Sequence, residues 1–272
     1  MKRICTIAGS DCSGGAGIQA DLKTFSAHGL FGMSVIVSVV AENTSRVYDV
    51  QDITPDMIAK QINAVFEDIG TDAVKVGMLS NAASMRIVAK KIKQYHPANL
   101  VIDPVMLAKN GCPLMDPESV STLIETILPL ADVLTPNIPE AEQITGLKIR
   151  SLAEMEQAAM RIHALGCQAV VVKGGHAKGQ AVDVLYDGTH FTHFNAERIP
   201  TKNTHGTGCT FSSAIACQLA RGKSLTDAVR LAKHYVTIAI RHSLNLGKGC
   251  GPTHHFYELY EKGLSDDDNA DS

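Results

Sequence analysis

The chain has 272 residues, 45% of them hydrophobic, enough to bury a large core in one α/β domain or two small ones. Its formal net charge of -3 offers no basic face to nucleic acid. No apolar run approaches the roughly 18 residues of a membrane-spanning helix, so no membrane partner is expected. The apolar run after Met1-Lys2-Arg3 breaks at Gly9, too short for the core of a signal peptide. Seven cysteines, an odd number with no CxxC pair, speak against a disulfide framework or a zinc site and for a reduced cytoplasm.

Arg3 to Ala8 reads as a short buried strand. The glycine-rich loop Gly9-Ser10-Asp11-Cys12-Ser13-Gly14-Gly15-Ala16-Gly17 follows, then a helix from about Ile18 to His28. Ser34 to Ala41 is a strand apolar on both faces, as a central parallel strand should be. Thr54-Pro55 opens a helix through Ile58, Ile62 and Val65. A strand at Ala73 to Val76, a helix from Ser80 through Ile92 and a strand at Leu100 to Asp103 come next. Pro117 to Leu130 is helical, and Val133 to Thr135 is a strand closed by Pro136-Asn137. Ser151 and Glu154 have capping-box spacing at the start of a helix that ends near Leu165. Ala169 to Lys173 is a strand followed by Gly174-Gly175. Near Ala181 the alternation breaks: Asp187-Gly188 lies between alternating runs and reads as a hairpin on an antiparallel edge. Ser224 with Asp227 caps a last long helix to about Ser243. The expected domain is 1–264, and the acidic tail 265–272 is expected to be disordered. This β–α alternation predicts a mostly parallel sheet with helices on both faces.

The organising stretch is Thr201 to Ser213. Gly206 and Gly208 precede a helix with a stripe at Phe211, Ile215 and Leu219. A helix N-terminus offers unpaired N–H groups and partial positive charge, so Gly206, Thr207, Gly208 and Cys209 form a candidate anion pocket. A thiol there is expected to have a lowered pKa. Its alternative is a tight turn beside a small core cysteine. Asp103 and Glu140 follow strand ends, where ligands bind in open α/β sheets. Acids there suit magnesium, directly or through water, or else cap a following helix. Lys173 brings a cation to the same edge, suited to phosphate.

Gly15-Ala16-Gly17-Ile18-Gln19-Ala20, with Glu42 downstream, fits the dinucleotide fingerprint, which makes a dinucleotide-dependent oxidoreductase a distant alternative. Residues 9–14 separate this run from the predicted strand, where the fingerprint puts its first glycine directly after the strand. A substrate loop that starts at Gly9 and contains Asp11 and Asp21 is the other reading, beside a plain turn. Gly222-Lys223-Ser224 has the ending of a Walker loop, but Cys217 stands where the first glycine belongs. His254-His255 has no third ligand beside it, and the other histidines apart from His205 are scattered and read as surface positions.

The segments GSDCSGGAGIQADLKTF (9–25), VKVGML (74–79), DPVMLAKNG (103–111), TPNIPEAE (135–142), VVKGGH (171–176), NTHGTGCT (203–210) and GCGPTHHF (249–256) occur in this order. Together they resemble the hydroxymethylpyrimidine/phosphomethylpyrimidine kinases of thiamine biosynthesis, in the ribokinase superfamily, over nearly the whole chain. Sugar kinases of the superfamily usually carry Asp where this chain has Cys209. The resemblance implies a ribokinase-like three-layer sandwich, ATP and Mg2+, a small-molecule substrate and a homodimer. It implies that Cys209 is the base in the anion hole and that Asn137 and Glu140 form the magnesium motif. It assigns the pyrimidine pocket to Asp21, Met78, Val105 and position 42, where the family commonly has Gln and this chain has Glu42. The implied reaction is ATP-dependent phosphorylation of 4-amino-5-hydroxymethyl-2-methylpyrimidine, then of its monophosphate. A pyridoxal or pyridoxine kinase is the close alternative.

Overall fold

Strands that are apolar on both faces oblige helices to cover both sides of the sheet they build. The computed structural model describes residues 1–106, 117–176 and 181–263. Its strands are β1 (Arg3–Asp11), β2 (Phe31–Glu42), β3 (Val47–Asp52), β4 (Ala73–Val76), β5 (Leu100–Ile102), β6 (Val133–Leu134), β7 (Val170–Val172), β8 (Ala181–Tyr186) and β9 (Phe191–Ala196). They join one sheet in the order β3-β2-β1-β4-β5-β6-β7-β8-β9. From β2 to β7 the pairings are parallel; β3 and the β8–β9 hairpin are antiparallel.

The helices are α1 (Gly17–Ala27), α2 (Pro55–Ala64), α3 (Ala82–Tyr95), α4 (Pro117–Thr122), α5 (Ile138–Thr145), α6 (Leu152–His163), α7 (Thr207–Ala220), α8 (Leu225–Arg241) and α9 (Tyr257–Gly263). Residues in α2, α3, α5 and α6 pack with Cys5, Ile7, Val74 and Val76 in one core. On the opposite face, α1, α7 and α8 pack with Ile4, Ala73 and Val101. Adjacent residues of β1 and β4 thus serve opposite cores, as a pleated strand requires. Among the residues of α7 from Thr210 to Ala220, only Leu219 is not fully buried. α7 packs between α1 and α8 as the central helix of its layer, and its buried Thr210, Ser212 and Ser213 hydroxyls are hydrogen-bonded.

The structure bears out the mostly parallel sheet covered on both faces, and it adds a second antiparallel edge. β3 is largely exposed, so it lacks the apolar signature of a strand and exists by pairing with β2. Caps explain several boundaries. The Thr54 hydroxyl accepts from the Met57 amide at the start of α2. Asn81, not Ser80, caps α3. Ser151 caps α6, but the Glu154 carboxylate reaches the Arg150 amide rather than that of Ser151, so that box is incomplete. A complete capping box appears instead at Asn137 and Glu140 on α5. The acidic tail, Cys112 and part of the DPVMLAKNG segment lie outside the described residues.

Candidate active site

The C-terminal ends of the parallel strands meet the N-terminus of α7 at a cleft of about 980 Å³. β1 delivers Gly9 and Asp11, β2 Glu42, β4 Lys75 and the turn after β4 Met78. The turns after β5, β6 and β7 deliver Asp103 with Val105, Asn137 with Glu140, and Lys173. Gly206, Thr207, Gly208 and Cys209 close the floor. Of the site residues expected from sequence, the structure brings all but one to this cleft wall.

The exception is Asp21. Its carboxylate is fully shielded from solvent. It accepts from Thr6 Oγ1 (2.6 Å), Ser213 Oγ (2.8 Å) and both ways from Lys75 Nζ (2.8 and 2.9 Å). Asp21 thus lies beneath the floor, and its contact with the cleft runs through Lys75.

The approach to α7 depends on glycine. Gly206 has φ +76°, and a Cβ there would land on the carbonyl oxygen of Gly15. The glycine-rich loop and the α7 loop thus touch backbone to backbone. β1 continues to Asp11, so the spacing objection to a dinucleotide fingerprint weakens. The glycines of the run face protein groups: a Cβ at Gly15 would meet the His205 ring and one at Gly17 the Gly9 carbonyl. Gly206 supplies no side-chain cap. The amides of Gly208 and Cys209 have no hydrogen-bond partner among the described residues, whereas the Thr207 amide and hydroxyl are turned to the Thr204 carbonyl. Two open amides on a helix dipole make an anion site.

Burial of the Cys209 thiol pushes its pKa up to about 11, although Lys75 and the Gly17 amide pull it down. The expected depression is thus corrected: loss of water at the cleft floor outweighs the helix N-terminus. Lys173 Nζ donates to Asp103 Oδ1 at 2.6 Å, and Thr135 Oγ1 donates to the same oxygen at 3.2 Å. Burial lowers and Asp103 and Glu140 raise the Lys173 pKa, with the raising effects prevailing. Asp103 is thereby committed to a cation already. Glu140 is buried; its Oε2 accepts from the Asn137 amide at 2.8 Å, while Asn137 Oδ1 accepts from the Glu140 amide at 2.9 Å. Burial pushes the Glu140 carboxyl up to about 7, against the pull of Lys173. The capping reading of Glu140 is therefore physically realised, and the residue still faces the cleft.

A second cluster escaped the sequence. Asp11, Glu42 and His205 each bring a polar atom within 4.8 Å of the others. His205 Nε2 donates to Asp11 Oδ2 at 2.9 Å, and the amides of Ser13, Gly15 and Ala16 also point at that carboxylate. Burial opposes ionisation of Asp11, but His205 and these hydrogen bonds hold its pKa well below the usual range. Glu42 is pushed up to about 7, by burial first and then by the charge of Asp11. Lys75 and Lys233 were also missed. Lys233 Nζ donates to Asp183 Oδ2 at 2.7 Å, and Asp183 Oδ1 accepts from the Gly174 amide, which fixes the turn carrying Lys173. A lysine inside the otherwise apolar strand Ala73–Val76 was the available signal for Lys75, because a buried ammonium requires a partner. The histidines are not all superficial: His28 is buried against the Thr24 carbonyl, and His255 Nε2 meets Thr210 Oγ1 at 3.0 Å.

Among the described residues no helix is long and apolar enough to cross a membrane. The chain is 49% identical over 253 residues to the thiamine biosynthesis bifunctional protein ThiED of Geobacter sulfurreducens, covering 93% of this chain but only 52% of that protein. It spans about half the length of that relative. It is 46% identical to the hydroxymethylpyrimidine/phosphomethylpyrimidine kinase of Haemophilus influenzae, covering 94% of this chain and 97% of that one. The fold superposes with a TM-score of 0.88 on a Bacillus subtilis pyridoxal kinase solved as an ADP complex, at 43% identity over 95% of this chain and 99% of that one. The sequence pattern of the phosphomethylpyrimidine kinase family matches residues 11–254. With that match and those identities, the chain belongs to the phosphomethylpyrimidine kinase family.

Proposed function

We propose that this protein transfers the γ-phosphoryl group of ATP to 4-amino-5-hydroxymethyl-2-methylpyrimidine and then phosphorylates the monophosphate, in thiamine diphosphate biosynthesis. The observation that carries this reading is the N-terminus of α7, whose Gly208 and Cys209 amides open on a cleft flanked by Lys173. Phosphoryl transfer needs positioning and charge neutralisation more than covalent chemistry. The ring binds between Gly9, Met78 and Val105 with Glu42 at its edge, and Cys209 receives the hydroxyl proton. Asn137, Lys173 and Thr207 contact the nucleotide. Mg2+ fits the donor set: Glu140 is a buried carboxyl whose ionisation a cation would favour, and it acts through water with Asn137. Magnesium supplies neutralisation of phosphate charge when bound.

The domain spans 1–264 in this reading, and the protein is a homodimer in the cytoplasm. The dimer is supported by the edge strand β3, where Tyr48 and Val50 are exposed beside the exposed Val39 of β2. The cytoplasmic placement is supported by free thiols at Cys5, Cys12, Cys167, Cys209, Cys217 and Cys250. A pyridoxal kinase is the second reading, favoured by the superposition on the Bacillus subtilis enzyme and by the departure at Glu42. Incubating purified protein with ATP, magnesium and each ring separately, with mass analysis of products, decides between them. A pyrimidine diphosphate is the expected product; pyridoxal phosphate alone would reverse the assignment.

A further inference from the structure

The four residues of β4 are all buried, and Lys75 is one of them. Its ammonium and the Asp21 carboxylate are both fully shielded. Asp21 is saturated, accepting from Thr6, Ser213 and twice from Lys75. Lys75 is not: an ammonium has three donors, and Asp21 is its sole acceptor among the described residues. Lys75 lies against the cleft wall without reaching solvent, and Asp21 lies behind it. Ser213 ties the pair to α7, whose first turn carries Cys209.

The charged groups acting on Cys209 come from four directions: Lys75 on β4, Asp21 on α1, Asp103 after β5 and Lys173 after β7. Lys173 is engaged by Asp103. Lys75 exerts the largest of the charge effects on the thiol, and it favours the thiolate.

We propose that Lys75, clamped by Asp21 against the α7 face that carries Ser213 and, one turn earlier, Cys209, is a positioning residue that favours the thiolate form of Cys209. The inference rests on the reading of Cys209 as the base. The thiol proton passes to bulk water before the transfer. The thiolate then takes the substrate hydroxyl's proton as that oxygen forms its bond to the γ-phosphorus and the bond to ADP breaks. The sulfur returns to S–H.

The test is alkylation of Cys209 by iodoacetamide at pH 8, followed by peptide mass analysis, with the exposed Cys12 as internal control. Only the thiolate reacts, so at a pH below the thiol pKa the rate follows the small thiolate fraction. In Lys75→Met the Cys209 rate should fall at least about tenfold; in Asp21→Asn, which leaves the ammonium uncompensated, it should rise at least about tenfold. A purely structural role predicts the same direction in both variants, or no change, and either result overturns the proposal. Thermal unfolding checks that each variant is folded. Should Lys75→Met fail to fold, Asp21→Asn alone decides: a faster rate supports the proposal, and an equal or slower one refutes it. ATP turnover by the wild-type protein tests the kinase reading separately, because alkylation needs neither nucleotide nor ring.

Discussion

The carboxyl group of Glu42 lies within 4.8 Å of that of Asp11, and the two cannot both ionise cheaply. Asp11 takes the charge, because His205 and three loop amides point at it. Glu42 keeps its proton up to about pH 7. A protonated carboxyl offers one O–H donor and one carbonyl acceptor, the same pattern as a Gln amide. Glu42 thus reproduces the hydrogen bonding of the Gln common in the family, but only while protonated. KM for the hydroxymethylpyrimidine should rise as pH passes through about 7 in the wild-type protein. Glu42→Gln should flatten that rise. Parallel KM profiles for the two proteins between pH 6 and 8 would refute a ring contact.

Glu140 gives a stability prediction with a definite sign. Its folded pKa, about 7, lies above its ordinary value of 4.5, because burial disfavours the carboxylate. The folded state therefore binds the proton more tightly than the unfolded state. The stabilisation is full below about 4.5 and is lost as pH rises through about 7. Glu140→Gln keeps an oxygen to accept from the Asn137 amide but does not titrate. The variant should lose less stability than wild type between pH 5 and 8, measured by denaturant unfolding. It should also need more magnesium for half-maximal turnover. An unchanged magnesium titration would leave Glu140 with its capping role alone.

Gly206→Ala tests the contact between the two glycine loops. The new methyl meets the Gly15 carbonyl, and φ +76° is strained for any residue with a Cβ. Strain of this kind costs about 1–3 kcal/mol before the steric clash is counted. Thermal stability should fall, and turnover should fall further, because the amides of Gly208 and Cys209 shift with the loop. Turnover at the wild-type level would show that the loop is not the anion site.

Much of this was legible in the sequence because it rests on local rules. Strands apolar on both faces specify a parallel sheet, and a glycine run before a helix marks an anion site. β3 was not legible, because an exposed edge strand has no apolar pattern and forms by pairing with β2. The protonation of Cys209 was illegible for another reason. Sequence shows the helix N-terminus that lowers the pKa but not the burial that raises it. Asp11 and His205 lie 194 positions apart along the chain, and only the fold brings them together. The surroundings of Asp21 were illegible for the same reason, since its partners Thr6, Lys75 and Ser213 come from three separate elements.

One site that performs two phosphorylations must meet two different acceptors. The first acceptor is a neutral hydroxymethyl group, whose oxygen must lose a proton as it attacks. The second is a phosphate monoester already carrying nearly two negative charges, which needs neutralisation rather than a base. In the proposed reading Cys209 serves the first need, while Lys173 and the α7 amides serve both. Cys209→Ala should lower the first phosphorylation by about 10²–10⁴-fold, the usual worth of a general base, and the second much less. Lys173→Gln should lower both. It also leaves the buried Asp103 without its 2.6 Å partner, so a thermal melt must accompany the rates. The measurement supplies each variant with the hydroxymethyl compound and with its monophosphate in separate reactions. Equal losses for the two substrates in Cys209→Ala would refute the division of roles. Formation of monophosphate but no diphosphate by wild-type protein would confine the site to its first reaction.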